Sequence, residues 1–242
     1  MIEFIHAYKR FGKEEILQNI SLKISEGDQV CIIGGSGSGK SLLTRLILGL
    51  ETLSEGKLLI QGQDTTDWTE ENWHPIRKHF GVVFQGAALL DSMTIRQNIG
   101  LRLDEERKLT PSEIDDRVAE ALTQVGLTAT IWNKLPSEIS GGMQKRVGMA
   151  RAIIYEPEVL VFDEPTTGLD PINIQALNEL MVQIAAEPGR TIITVTHNLA
   201  TLNKLAKRVI MLHDNGILFN GSLPQLMASS NSYIQQFLAA GT

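Results

Sequence analysis

The chain has 242 residues, 43% of them apolar and 21% charged, which is material for a substantial core in one large domain or two interleaved lobes. A formal charge of −6 disfavours a surface built to bind a phosphate backbone, so nucleic acid is not an expected partner. No run approaches the roughly 20 consecutive apolar residues of a membrane-spanning helix, and the opening MIEFIHAYKR lacks the apolar region of a signal peptide, so a cytoplasmic site is expected.

Taken in chain order, residues 1 to about 30 and 57–62 alternate in polarity, as at Ile20, Leu22 and Ile24, and predict an antiparallel flap. Residues 30–33, 82–84, 159–162 and 192–195 are short apolar runs rich in β-branched side chains, the pattern of strands buried on both faces. Cys31 lies in the first of these, where a lone thiol acts as a small hydrophobe. After it Leu43, Leu46, Ile47 and Leu50 share one helical face, so strand, glycine-rich loop and helix follow in order. Residues 86–155 read as a helical insertion. Within it Thr110, Pro111 and Glu113 predict a capping box ahead of Ile114, Val118 and Leu122. Residues 209–212 and 217–219 flank Asp214-Asn215-Gly216 and predict a hairpin. The layout is α/β with a mainly parallel sheet.

The loop Gly34-Gly35-Ser36-Gly37-Ser38-Gly39-Lys40-Ser41 fits GxxxxGK[ST] between a predicted strand and a predicted helix, the context that pattern needs. Glycines let successive N–H groups turn inward on phosphate oxygens, Lys40 neutralises the β and γ phosphates, and the Ser41 hydroxyl can ligate Mg²⁺. The run 159–162 ends in Asp163-Glu164. Adjacent carboxylates at a strand end face different directions, which suits one to metal and the other to the work of a general base on water.

Phosphate loops are shared by many enzymes, and Ile139-Ser140-Gly141-Gly142-Met143-Gln144-Lys145-Arg146, with Ala150-Arg151-Ala152 after it, separates them. It resembles the LSGGQ signature of ABC ATPases, upstream of Asp163-Glu164 as in that family. The resemblance covers nearly the whole chain. It implies a RecA-like P-loop core with a mainly parallel sheet, an antiparallel β flap and an α-helical subdomain, dividing as core 1–85 and 156–221, helical subdomain 86–155 and C-terminal helical tail 222–242. It also implies roles. Phe11 would stack on adenine; Gln85 would touch Mg²⁺ and water; Thr167-Gly168-Leu169-Asp170 would be the D-loop, with Asp170 near nucleotide; His197 would contact the γ-phosphate. Glu164 would be the general base, and Mg²⁺ would meet Ser41, Gln85 and Asp163. Two copies would meet head to tail, so that Ser140, Gly141 and Gly142 close on ATP held by Lys40 of the other copy. Met143 departs from the pattern, standing where the signature has glutamine.

The ISGGM form, the following QKRVGMARAI and the stretch FQGAALLDSM are similar to the ATPases of Mla and Mce-associated lipid-transport systems. That likeness implies a membrane permease docked beside Gln85, phospholipid as cargo, residence on the cytoplasmic face of the inner membrane, and further partners in a small regulatory subunit and a periplasmic or lipid-binding component. Cassettes for amino acids, metal chelates or lipoproteins are the alternatives within transport. ABC ATPases that act on nucleic acid carry coiled coils, zinc modules or tandem cassettes, for which 242 residues leave no room. A GTPase would carry NKxD, and Asn133-Lys134-Leu135-Pro136 lacks its aspartate.

Overall fold

The computed structural model describes residues 1–240; residues 241 and 242, the end of the expected tail, lie outside the described residues. The chain opens with β1 (Ile2–Phe11) and β2 (Glu14–Ile24), an antiparallel pair in which Ile2 faces Ile24 and Phe4 faces Leu22. Next come β3 (Gln29–Gly34) and α1 (Lys40–Ile47), then β4 (Glu55–Ile60) and β5 (Gln63–Asp64). The order β2-β1-β4-β5 forms a four-stranded flap, antiparallel throughout. After α2 (Glu70–Arg77) and β6 (Phe80–Val83) the chain enters three helices, α3 (Ile95–Glu106), α4 (Pro111–Gln124) and α5 (Gly141–Ile153). It returns through β7 (Val159–Asp163), α6 (Pro171–Ala185), β8 (Thr191–Val195), α7 (Leu199–Leu205) and β9 (Arg208–His213). It ends in β10 (Gly216–Ser222), α8 (Leu223–Met227) and α9 (Ser232–Ala240).

The six-stranded sheet has the order β10-β9-β3-β8-β7-β6, parallel except for the edge pair β9 and β10. The central strands β3, β7 and β8 are almost wholly buried because both faces of the sheet are covered there. Val30 and Ile32, Val159 and Val161, Ile193 and Val195 point toward α1 and the flap, in one cluster with Phe4, Leu17 and Leu43. Cys31 and Ile33, Leu160 and Phe162 point the other way, into a cluster with α3 to α7. Burial pushes the Cys31 thiol up to about 12, so it is a core methyl-sized group rather than a nucleophile.

Two details differ from the sequence reading. The strand at 82–84 stops at Val83, because the chain turns there and the Phe84 carbonyl accepts from Ala87 N–H at 2.9 Å. Leu50 is 53% exposed and outside α1. The helix is ended at Gly49, whose φ of +64° an L-residue resists and whose Cβ, were there one, would sit 2.2 Å from the Trp73 ring. The helical period therefore stops carrying information after Ile47.

The helical insertion forms around Ile95, Ile99, Ile114, Val118, Leu122 and Val147, all buried. Thr110 caps α4 with the reciprocal Glu113 bond, a cap worth about 1 kcal/mol. At the far end Asp214 and Asn215 take φ of +45° and +64°, the two left-handed residues of a tight hairpin turn. Behind it α9 lies against the end of β9 and the phosphate loop: Tyr233 stacks on His213 with ring centroids 3.5 Å apart, and its hydroxyl would be 3.1 Å from a Cβ on Gly35. No helix among the described residues is long and apolar enough to cross a membrane.

Candidate functional site

The loop between β3 and α1 bounds a cleft of about 670 Å³, lined by every residue from Gly34 to Leu42 and by Gln85, Glu164, Thr167, His197 and Phe237. The path of this loop requires glycine. Gly34 has φ +150° and a Cβ there would meet the Leu212 carbonyl oxygen at 2.5 Å; Gly39, with φ +91°, would drive one to 2.7 Å from Leu17. Lys40 is buried, and its ammonium donates back to the carbonyls of Gly34 and Gly35 at 2.9 and 2.8 Å. Burial lowers its pKa below the usual lysine value, while Glu164 and Asp163 pull it back up, so the ammonium is short of a close counter-charge. A phosphate fits that need. Ser38 Oγ, shut off from solvent without a hydrogen-bond partner, is a second polar group held ready at the cradle.

The two carboxylates at the end of β7 part company. Asp163 accepts from Ser41 Oγ at 3.3 Å, and burial raises its pKa above the aspartate norm. Glu164, at φ +49°, turns the other way and meets His197 Nδ1 at 2.8–2.9 Å. Thr167 Oγ1 donates to Glu164 from 3.5 Å. The left-handed backbone at a non-glycine residue turns Glu164 into the cleft while Asp163 is engaged by Ser41. Ser41, Asp163 and Gln85 offer a hydroxyl, a carboxylate and an amide oxygen, the hard donors Mg²⁺ takes when substrate phosphates complete its shell. The residues present fit that ion, which when bound would neutralise charge on the phosphates being cleaved.

Other expected site residues lie elsewhere on the chain. Ser140 caps α5, its Oγ accepting from Met143 N–H at 3.3 Å, and Ser140 and Gly141 are exposed. They and Gly142 are not part of this chain's own cleft lining. Asp170 caps α6: Oδ1 accepts from Asn173 N–H at 3.0 Å and Oδ2 from the Asn173 side chain at 2.5 Å, and these bonds hold its pKa down. The two caps are neighbours, since Asn173 Oδ1 would be 3.5 Å from a Cβ on Gly142. Met143 is half-buried against the helical core.

Phe11 stands at the end of β1, 49% exposed, with Lys9 Nζ 4.7 Å from its ring centroid, and not among the residues that line the phosphate cleft. At that exposure Phe11 is not a core side chain. Phe11→Ala should weaken ATP binding by about 1–3 kcal/mol, the scale of base–aromatic stacking, with the melting temperature held, as titration calorimetry and thermal melts would read together. Thr167, the first residue of the expected D-loop, lines the cleft, whereas Tyr233 and Phe237 were not legible as site residues. Tyr233 and Phe237 sit four apart on one face of α9, a spacing that any packed helix shows.

A phosphate loop, an Asp-Glu strand end and a serine-capped glycine helix on a second lobe define an ATP-hydrolysing cassette that binds ATP with Mg²⁺. The chain belongs to the ABC transporter family: the family model described as "ABC transporter" matches residues 17–167. It is 37% identical over 98% of its length to Protein TRIGALACTOSYLDIACYLGLYCEROL 3, chloroplastic, of Arabidopsis thaliana. It is also 37% identical, over 95% of its length, to a protein of Mycobacterium leprae named "Probable ribonucleotide transport ATP-binding protein mkl". It spans 73% of the first protein and 66% of the second. The ATP-binding cassette MJ0796, solved as a dimer in a post-hydrolysis state with ADP and Pi, superimposes with a TM-score of 0.84 and 31% identity over 92% of this chain and 99% of its own.

Proposed function

We propose that this chain is the motor of a membrane transporter for phospholipid or a related lipid, working as a head-to-tail dimer with two ATP at the interface. One observation carries the mechanism: the signature residues Ser140, Gly141 and Gly142 stand at the exposed N-terminal end of α5, outside the cleft that Lys40 and Glu164 line. A helix N-terminus with bare N–H groups is an anion site in search of an anion, and the phosphates in a second copy's cleft supply one. In the closed dimer Lys40 and the loop amides bind the β and γ phosphates, Glu164 takes a proton from the attacking water, and His197 holds Glu164 in place through the bond seen here.

The membrane partner is read from the surface beside Gln85. Phe84, Ala88, Leu101, Arg102 and Tyr155 line an open groove between the two lobes, about 440 Å³ in volume, suited to a short helix from a permease. Residence at the cytoplasmic face of the membrane follows from that docking, as do a small regulatory subunit and a periplasmic or lipid-binding component if the Mla-like pattern extends to the whole assembly. The lipid cargo is supported by ISGGM and FQGAALLDSM and by the name of the plant relative. The mycobacterial relative's name supports a second cargo, ribonucleotide. Proteoliposomes holding the chain with its co-purified permease decide between them: ATP-dependent movement of labelled phospholipid is expected, and nucleotide uptake with immobile lipid would overturn the lipid reading.

Because the dimer contacts come from the Ser140 hydroxyl and backbone groups, Met143→Gln should leave ATP turnover within about tenfold of the starting protein. Ser140→Arg should be far worse, since it puts a long cation where the γ-phosphate must approach. Steady-state ATPase assays on both variants test this, and two harmless changes would remove the signature helix from the site.

A further inference from the structure

The stretch that carries Gln85 into the cleft is held by two cations whose partners are carbonyl oxygens instead of carboxylates. Lys145 Nζ donates to the carbonyl of Gln85. The Arg151 guanidinium forks onto the next turn, its two terminal nitrogens donating to the carbonyls of Ala87 and Ala88 at 2.8 Å each. Lys145, Gly148 and Arg151 are spaced three apart on α5, so they share one helical face. Gly148 lets that face approach: a Cβ there would lie 3.3 Å from Ala87 Cβ and from its oxygen.

Ala87 and Ala88 have φ of +59° and +49°, a conformation alanine keeps only where its surroundings impose it. Ala87 is buried at 2% exposure and Lys145 at 8%. Neither Lys145 nor Arg151 forms a salt bridge among the described residues. A buried cation without a counter-ion is costly unless its donors are used, and here three backbone carbonyls of one short loop use them. Arg151, Phe84 and Ala88 also line the groove between the lobes, so the clamp stands between that surface and the cleft.

We propose that Lys145 and Arg151 are positioning residues for Gln85, one buried and one half-buried cation that fasten the loop 85–88 to the signature helix, so that Gln85 and Ser140 move as one body. This rests on the reading of Gln85 and Ser140 as parts of a shared ATP site. The consequence is mechanical. The glutamine of one cleft cannot engage unless α5 of the same chain has taken the position that presents Ser140 to the other copy's cleft, which ties the two sites of the dimer together.

The test is a double-mutant cycle in ATP turnover, using full-length dimeric protein and the variants Lys145→Met, Gln85→Ala and the pair. Lys145→Met is expected to lower kcat by about 3–30-fold, the range of coupling energies carried by packed networks, with KM for ATP changed less than about threefold because Lys40 and Phe11 are untouched. The pair should be no slower than Gln85→Ala alone, and Lys145→Arg should recover most of the rate. Additive losses in the pair, or a KM rise that tracks a fallen melting temperature, would make Lys145 merely structural and overturn the clamp. If Lys145→Met folds too poorly to compare, Arg151→Lys, which keeps charge but loses the fork, carries the same cycle with the same two outcomes. A Gln85→Ala variant with unchanged kcat would instead sink the site reading beneath the proposal, whereas a slow Gln85→Ala with additive behaviour sinks the clamp alone.

Discussion

Lys40→Ala is expected to abolish tight ATP binding and with it all measurable hydrolysis. In the structure this ammonium is buried at the floor of the phosphate loop, turned back onto the Gly34 and Gly35 carbonyls, with Asp163 and Glu164 its nearest opposing charges. Phosphate oxygens are stronger acceptors than the carbonyls that hold it, and hydrogen bonds to charged groups contribute about 1.5–3 kcal/mol each. Losing two of them removes about 3–6 kcal/mol, or roughly 10²–10⁴ in affinity. The loop itself should survive, because its path is set by the left-handed glycines and by α1 rather than by the lysine. Fluorescent-nucleotide titration beside a thermal melt checks this: a normal melt with lost binding is the expected pair, and retained affinity would remove the phosphate assignment.

Much of the fold was legible because both faces of the parallel sheet are apolar. The runs at 30–33, 159–162 and 192–195 could not be surface strands, and the glycine-rich loop after the first could only turn into a helix. The flap was legible from alternation, and the insertion from its capping box. What local pattern could not carry was where elements stop. Leu50 kept the helical period that Gly49 and the Trp73 ring had already ended, and Phe84 kept the apolar run past the point where the loop turns out.

The site divides in the same way. The loop residues from Gly34 to Ser41, with Asp163 and Glu164, are contiguous and announce their chemistry; Gln85 and His197 were found through their order along a family pattern, and the structure draws both into the cleft. Phe237 reaches it through tertiary packing alone, which leaves no mark in spacing. Lys145 and Arg151 read as the ordinary basic residues after a signature. Their use of carbonyls as partners depends on the left-handed turn at Ala87 and Ala88, and no short-range rule foretells that turn.

Glu164→Gln is expected to reduce hydrolysis by about 10²–10⁴-fold, the usual contribution of a general base, while ATP still binds. Size and hydrogen-bonding shape are kept and basicity is lost. The Asp163 side chain points to Ser41, away from His197, so it is not placed to substitute. Since ATP would bind the closed pair better than separate chains, nucleotide that cannot be hydrolysed should drive the population toward dimer. Size-exclusion chromatography with light scattering on the Glu164→Gln protein, with and without ATP and Mg²⁺, is the most direct test of the shared site. The account predicts that ATP doubles the measured mass and that Ser140→Arg in the same background prevents the doubling; a Glu164→Gln protein that stays monomeric in ATP and turns over at the unmutated rate would contradict both the general base and the head-to-tail site.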